Sequence, residues 1–176
     1  MQTISEEYRK LQQELHENPK YGMASTMFAP LVAQIFRDTG AKTLSDYGAG
    51  KKRLLTSLQD LKVEVDEYRP YDPAFPEYGP PQSADMVCCI YVLEHVEPAL
   101  IDNVLIDLSK IVADLGFLTV HCGAAAKILS DGRNAHLTQK PASWWLPKLC
   151  KYFEPIHFQQ HALMGKGFWV LVRSKD

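Results

Sequence analysis

The sequence has little with which to cross or enter a membrane. Its longest apolar run is the eight residues Met86 to Leu93, far short of the roughly 20 that span a bilayer. The opening Gln2-Thr3-Ile4-Ser5-Glu6-Glu7 lacks the apolar core of a secretory leader. Both absences predict a soluble, cytoplasmic protein with no membrane partner. Cysteine is also scarce. Cys88, Cys89, Cys122 and Cys150 include no CxxC spacing, and two sit side by side in the apolar run, where thiols behave as small hydrophobes. A disulfide framework and a structural zinc are therefore not expected, and no metal-ligand spacing stands out. Nor is there a large excess of one charge. With 19 basic and 21 acidic residues the net charge is −2, so the surface as a whole is not built for nucleic acid. The chain contains no internal repeat, low-complexity segment or linker.

What is present is enough apolar material for one core. Of 176 residues, 46% are hydrophobic and 23% charged, which predicts a single compact domain. The charge is unevenly spread: residues 1–115 carry 11 Lys/Arg against 18 Asp/Glu, and 116–176 carry 8 against 3. An anionic partner would meet the C-terminal third.

Periodicity divides the chain in two. Residues 4–17 form a polar helix with a sparse apolar stripe (Tyr8, Leu11, Leu15), ended by Asn18-Pro19-Lys20-Tyr21-Gly22. A second helix runs from Ser25 or Pro30 to Asp38, with Gly40 as its stop. Residues 1–40 are thus expected to be an N-terminal helical cap on a domain spanning 41–176. From residue 42 strands and helices alternate: strands at 42–46, 63–71, 85–91 and 115–121, and helices at 51–60, 98–113 and 141–152. A hairpin closes the chain, Ile156 to Leu163 and Phe168 to Arg173 around Met164-Gly165-Lys166-Gly167. This pattern predicts an α/β fold: a Rossmann-like, open, mostly parallel sheet with helices on both faces and a C-terminal antiparallel hairpin.

The most informative stretch is Asp46-Tyr47-Gly48-Ala49-Gly50, a strand end running into a Gly-x-Gly turn and then a helix. Glycines there permit a sharp turn and close approach of a ligand to backbone, and the helix start offers free N–H groups. Asp72 follows 22 residues after Gly50, near the spacing at which such folds place the acid that holds ribose hydroxyls. A nucleotide-type ligand is the natural occupant.

These residues, followed by Tyr71-Asp72-Pro73, Ala84-Asp85-Met86-Val87 and Val92-Leu93-Glu94-His95-Val96, resemble the successive motifs of class I S-adenosylmethionine-dependent methyltransferases. The resemblance spans about residues 42–173 and includes the terminal hairpin. It implies S-adenosyl-L-methionine as cofactor. By position, Asp46 and Tyr47 with Gly48, Ala49 and Gly50 would carry its methionine end across the strand ends, and Asp72 with Pro73 would hold its ribose. Tyr91, Val92 and Leu93 would flank the sulfonium, and Tyr21 would belong to a flap over the site. Two departures stand out. Lys52 occupies a position where the family often has a third glycine, and only 12 residues, four of them proline, separate Asp72 from Asp85. The sheet is therefore expected to be one strand short of the usual seven, and Phe75 or Tyr78 would be left to cover the adenine.

Ligands on open α/β sheets bind beyond the carboxyl ends of the strands, which makes His95, His121 and His136 the candidate acceptor contacts or bases. Glu94, Arg133, Asn134, Lys140 and Trp144 are candidate acceptor-binding residues. Arg133 and Lys140 would take a phosphate or carboxylate and Trp144 would stack on a ring. The expected activity is methyl transfer to a small-molecule or nucleotide-like acceptor. A nucleic acid or protein acceptor, and a catalytically inactive partner subunit that merely binds the cofactor, are the alternatives.

Overall fold

The computed structural model describes residues 1–163 and 165–175; Met164 of the expected hairpin turn lies outside them. Strands β1 (Thr43–Tyr47), β2 (Glu67–Tyr71), β3 (Ala84–Ile90), β4 (Val112–His121), β5 (Phe153–His161) and β6 (Gly167–Ser174) form one sheet in the order β2-β1-β3-β4-β6-β5. The first four are parallel, and β6 inserts antiparallel between β4 and β5. Six strands are one fewer than seven for a local reason. The proline-rich link from Asp72 to β3 forms only a single 3-10 turn, Pro76–Tyr78, so β2 stands at the edge of the sheet.

Helices α1 (Glu6–Glu17), α2 (Ala24–Thr39), α3 (Arg53–Asp60), α4 (Ile101–Ser109) and α5 (Ala142–Tyr152) surround the sheet. Period-two alternation in β3 assigns its two faces. Met86, Cys88 and Ile90 pack with Phe28, Val32 and Phe36 of α2 and Leu54 and Leu58 of α3. Val87 and Cys89 face Val104, Leu105 and Leu108 of α4 and Trp145 and Leu149 of α5. The adjacent cysteines thus point to opposite layers, and all four are free thiols.

Of the two N-terminal helices, α2 belongs to a sheet-covering layer. It keeps Pro30 inside its span and ends on Gly40 at φ 68°. Only α1 lies over the strand ends, packed through Ile4 and Tyr8 on Leu129 and Ala135. Ser5 caps α1 by accepting from the Tyr8 N–H at 3.1 Å. Among the described residues no helix is long and apolar enough to cross a membrane.

Several boundaries differ from the expectation. The strand expected at 63–71 begins only at Glu67, because Val63, just after the turn that ends α3, lies in irregular chain with its side chain filling the core beside α2 and α3. The helix expected at 98–113 is a 3-10 turn and then α4, ending at Ser109. Its last expected residues, Val112 and Ala113, instead open β4.

Candidate functional site

At the carboxyl ends of β1, β2, β3 and β4 the chain encloses a cavity of about 360 Å³, within the range of small-molecule sites. Its floor is the turn after β1. Gly48 and Gly50 have φ of 87° and 47°, and Lys52 also adopts the left-handed region at 57°. Lys52 therefore takes the conformation a third glycine would supply, and α3 starts after it, at Arg53 rather than at 51. The amides of Gly48 and Ala49 donate to the Tyr71 carbonyl at 2.7 and 2.9 Å, which joins the turn to the end of β2. A Cβ on Gly48 would fall 2.2 Å from Val92 Cγ2, and one on Gly50 would fall 2.9 Å from His16 Cε1. The turn is thus held between the segment after β3 and the C-terminal end of α1.

Two buried carboxylates lie on the cavity wall. Asp72 accepts from the Gly50 N–H at 2.9 Å through one oxygen and from the Ala74 N–H at 2.8 Å through the other. Each oxygen keeps acceptor capacity for a hydroxyl, and burial pushes the group above its usual range. Asp46 accepts from the Tyr68 hydroxyl. Burial raises it to about 7 against the lowering effect of that bond, and nearby Asp72 adds to the rise. Pro73 and Ala49 also line the wall. Tyr47 reaches it too, but its ring lies in the core and its hydroxyl donates to Asp107 at 3.1 Å.

The roof is α1 with the residues on either side of it: Ile4 before the helix, Tyr8, Gln12 and His16 on it, and Tyr21 after it line the cavity. The Gln12 amide donates to the Tyr8 hydroxyl at 2.6 Å, and the Tyr21 hydroxyl donates to Gln12 at 3.3 Å. Lys51 and Arg53, flanking the turn, donate to the carbonyls of Asn18 and Pro19, each at 2.5 Å. At the other end of the helix the Ser5 N–H donates to Glu97 at 2.8 Å.

The three candidate histidines converge on the far wall. The ring centroids of His95 and His136 are 4.7 Å apart, and those of His121 and His136 are 4.8 Å apart. His95 Nδ1 lies 2.8 Å from the Ala135 carbonyl, and His136 Nδ1 lies 2.8 Å from the Gly123 carbonyl. A carbonyl can only accept, so in both rings Nδ1 carries the proton and the neutral ring keeps its lone pair on Nε2. Burial pushes His95 down to about 3 and lowers His136, which keeps both neutral. Beneath them Glu94 is wholly buried. One of its oxygens accepts from the His121 N–H at 3.0 Å, the other has no hydrogen-bond partner, and burial raises the group to about 8.

Other expected site residues lie elsewhere. Leu93 is fully buried in the core beside α4, because the 3-10 turn Leu93–His95 rotates it inward. Val92 and Val96 line the cavity in its place. Tyr91, at φ 53°, reaches the cavity wall and donates to the Leu163 carbonyl at 3.0 Å. Arg133 pairs with Asp131 at 2.6 Å and lies over the Tyr8 ring, outside the wall. Lys140 is exposed beyond it. Trp144 sits edge-on to Trp145 under Lys148 on α5 and does not line the cavity. Asn134 holds the loop instead, bonding both the N–H and the carbonyl of Ala125 at 2.9 Å. Phe75 and Tyr78 stack on each other, and the Tyr78 hydroxyl donates to the Gly50 carbonyl at 2.8 Å, supporting the turn from outside. Sequence reasoning missed Gln12, His16 and Lys127, which also border the cavity. Their place depends on long-range packing of α1 and of the 124–137 loop, for which no local motif exists.

No protein-family model matches the chain, and no curated protein matches it in sequence. Solved structures match it in fold. A Burkholderia thailandensis 1,6-didemethyltoxoflavin-N1-methyltransferase, crystallised with 1,6-didemethyltoxoflavin and S-adenosylhomocysteine, aligns with TM-score 0.67 at 12% identity over 100% of this chain and 92% of its own. The mitomycin 7-O-methyltransferase MmcR gives TM-score 0.64 at 16% identity, over 94% of this chain and 60% of its own. Human N-acetylserotonin methyltransferase in complex with S-adenosylmethionine gives 0.58 at 13%, over 97% of this chain and 56% of its own. The chain thus spans little more than half of the latter two. It has the fold of the class I S-adenosylmethionine-dependent methyltransferases.

Proposed function

We propose that this chain transfers a methyl group from S-adenosylmethionine to a small-molecule or nucleotide-like acceptor. The observation that carries this reading is one continuous cavity, with Asp46, the Gly48–Gly50 turn and Asp72 along one wall and His95, His121 and His136 along the other. The donor set suits the cofactor. Asp72 retains acceptor capacity for ribose hydroxyls, Asp46 is a carboxyl group that an adjacent ammonium would draw into its anionic form, and Gly48 and Gly50 leave room for backbone contact. S-adenosylmethionine supplies an activated electrophilic methyl group, so the protein chiefly aligns the acceptor and excludes water. Tyr8, Gln12 and Tyr21 form the roof, and His95 and His136 present neutral imidazoles toward the acceptor. The toxoflavin- and mitomycin-modifying neighbours act on small molecules, which supports an acceptor of that class.

Calorimetric titration with S-adenosylmethionine and S-adenosylhomocysteine, beside NAD and an Asp72→Ala control, tests the cofactor. Micromolar binding of both sulfur nucleotides, lost in the Asp72 variant, is expected; no binding of either overturns the reading. His136→Ala should keep cofactor affinity and lose turnover in an acceptor screen. Turnover unchanged in that variant would remove the histidine wall from the acceptor site.

A further inference from the structure

Behind the cavity wall, cofactor binding leaves unexplained a wholly buried carboxyl oxygen of Glu94 with no hydrogen-bond partner, set beside two imidazoles whose nitrogens are already sorted into donor and acceptor. We propose that Glu94, His95 and His136 form a binding site for a divalent transition ion of zinc-like preference, with its open positions facing the cavity. One ligand atom from each of the three lies within 4.8 Å of the others. Donors bound to a common tetrahedral zinc at ~2.1 Å lie ~3.4 Å from one another, so side-chain rotations that draw these atoms together by up to about 1.4 Å would close the trio on an ion.

Three features separate this cluster from a merely hydrogen-bonded one. Metal-ligating histidines characteristically donate their other ring N–H to a carbonyl or carboxylate, which fixes the tautomer and aims the lone pair; His95 and His136 do this to Ala135 and Gly123. Burial without a partner disfavours the charged form of Glu94, neither neighbouring imidazole is cationic, and a bound cation would favour the carboxylate. Two imidazoles and one carboxylate form the ligand set that binds zinc or iron(II) while leaving positions open, and they are poorly suited to magnesium or calcium. His95 and His136 border the cavity whereas Glu94 lies behind them, so the remaining positions open toward the space where an acceptor would sit. An oxygen or nitrogen of that acceptor would complete the shell and be oriented by it. This last role rests on the methyl-transfer reading; the ion site itself does not.

The test is titration of chelator-treated full-length protein with Zn²⁺, and with Co²⁺ as a visible-absorbing probe, in the absence of any nucleotide. Expected are one ion per chain and Co²⁺ bands of a low-coordinate site that Zn²⁺ abolishes. Glu94→Gln, which can still accept from the His121 N–H, and His136→Ala should each weaken binding at least ~10-fold. His157→Ala, remote from the cavity on β5 and stacked on Trp169, should leave it unchanged. Absence of stoichiometric binding overturns the site, as does unchanged affinity in either folded variant. Should both variants fail to fold, the ¹⁵N signals of the wild-type imidazoles decide: Nε2 of His95 and His136 must shift on adding Zn²⁺, and unmoved signals overturn the proposal. Nucleotide binding without ion binding removes this site alone, whereas ion binding without nucleotide binding keeps it and removes the methyltransferase reading.

Discussion

Val92 occupies the space that any side chain on Gly48 would need: its Cγ2 lies 2.2 Å from the position of a Gly48 Cβ. The contact joins the turn after β1 to the segment after β3, and it explains a glycine at φ 87° twice over, by backbone conformation and by space. Gly48→Ala is therefore expected to cost about 1–2 kcal/mol for the left-handed backbone and about 1–3 kcal/mol more for the clash. Denaturant unfolding measures the sum. In a double-mutant cycle Val92→Ala should recover the second part and leave the first. Strict additivity of the two substitutions would show that the contact does not carry the cost.

How far the sequence discloses this site depends on how local each determinant is. The turn from Asp46 to Gly50 and the acid at Asp72 were legible because strand, turn and helix follow one another within a few residues. The convergence of His95, His121 and His136 was legible only as three separate segments after strands; the sheet order brings them together. Lys52 shows a limit of pattern reading: a non-glycine residue takes the left-handed conformation, so the missing third glycine changes the residue but not the turn. Leu93, which the family resemblance places beside the sulfonium, and Trp144, a candidate for stacking on an acceptor ring, are each directed by a helical turn, one into the core and the other along α5. The position of α1 over the cavity was not legible, since its contacts with Asp72, Glu97 and Ser130 neighbourhoods bridge 61 to 116 residues of chain.

A nucleotide bound in the cavity would lie beneath that roof. The roof's attachment to the glycine turn runs through Lys51 and Arg53, which donate to the carbonyls of Asn18 and Pro19. Amide exchange across residues 6–17 is expected to slow when S-adenosylhomocysteine binds, because the ligand would sit under the helix and hold it down. The Lys51→Ala, Arg53→Ala double variant should release the ligand about 3- to 10-fold faster with a smaller change in association. Unaltered exchange in α1 at saturation would mean that the ligand binds without engaging the roof.

Ribose binding would give Asp72 a second duty beside the one the structure shows, and substitution can separate the two. Its oxygens hold the Gly50 and Ala74 amides, and the capacity left over would serve the ribose. Asp72→Asn retains one carbonyl oxygen and loses the other acceptor, so one amide is left unpaired at about 1–3 kcal/mol. Nucleotide affinity should fall at least ~10-fold, and thermal unfolding should shift downward as well. A loss of stability with affinity intact would confine Asp72 to holding the turn.

Asp46 provides a pH signature. Burial raises its carboxyl to about 7 in the folded protein, above the ordinary carboxylate value it regains on unfolding. Below that ordinary value both states are protonated and the group is neutral to stability. As pH rises between the two values the unfolded chain releases a proton that the folded chain still holds, so the fold loses stability until Asp46 ionises near 7. The penalty then persists at higher pH, up to ~4 kcal/mol. Asp46→Asn, which keeps an acceptor for Tyr68, should therefore gain stability relative to the wild type between about pH 4 and about pH 8, measured by urea unfolding at each. The same group predicts a cofactor effect of opposite sense. An ammonium beside Asp46 favours the carboxylate, so S-adenosylmethionine should bind more tightly to the wild type as pH rises through about 7. Affinity in the Asn variant should show no such rise. Parallel pH profiles in the two proteins would remove Asp46 from contact with the amino end of the cofactor.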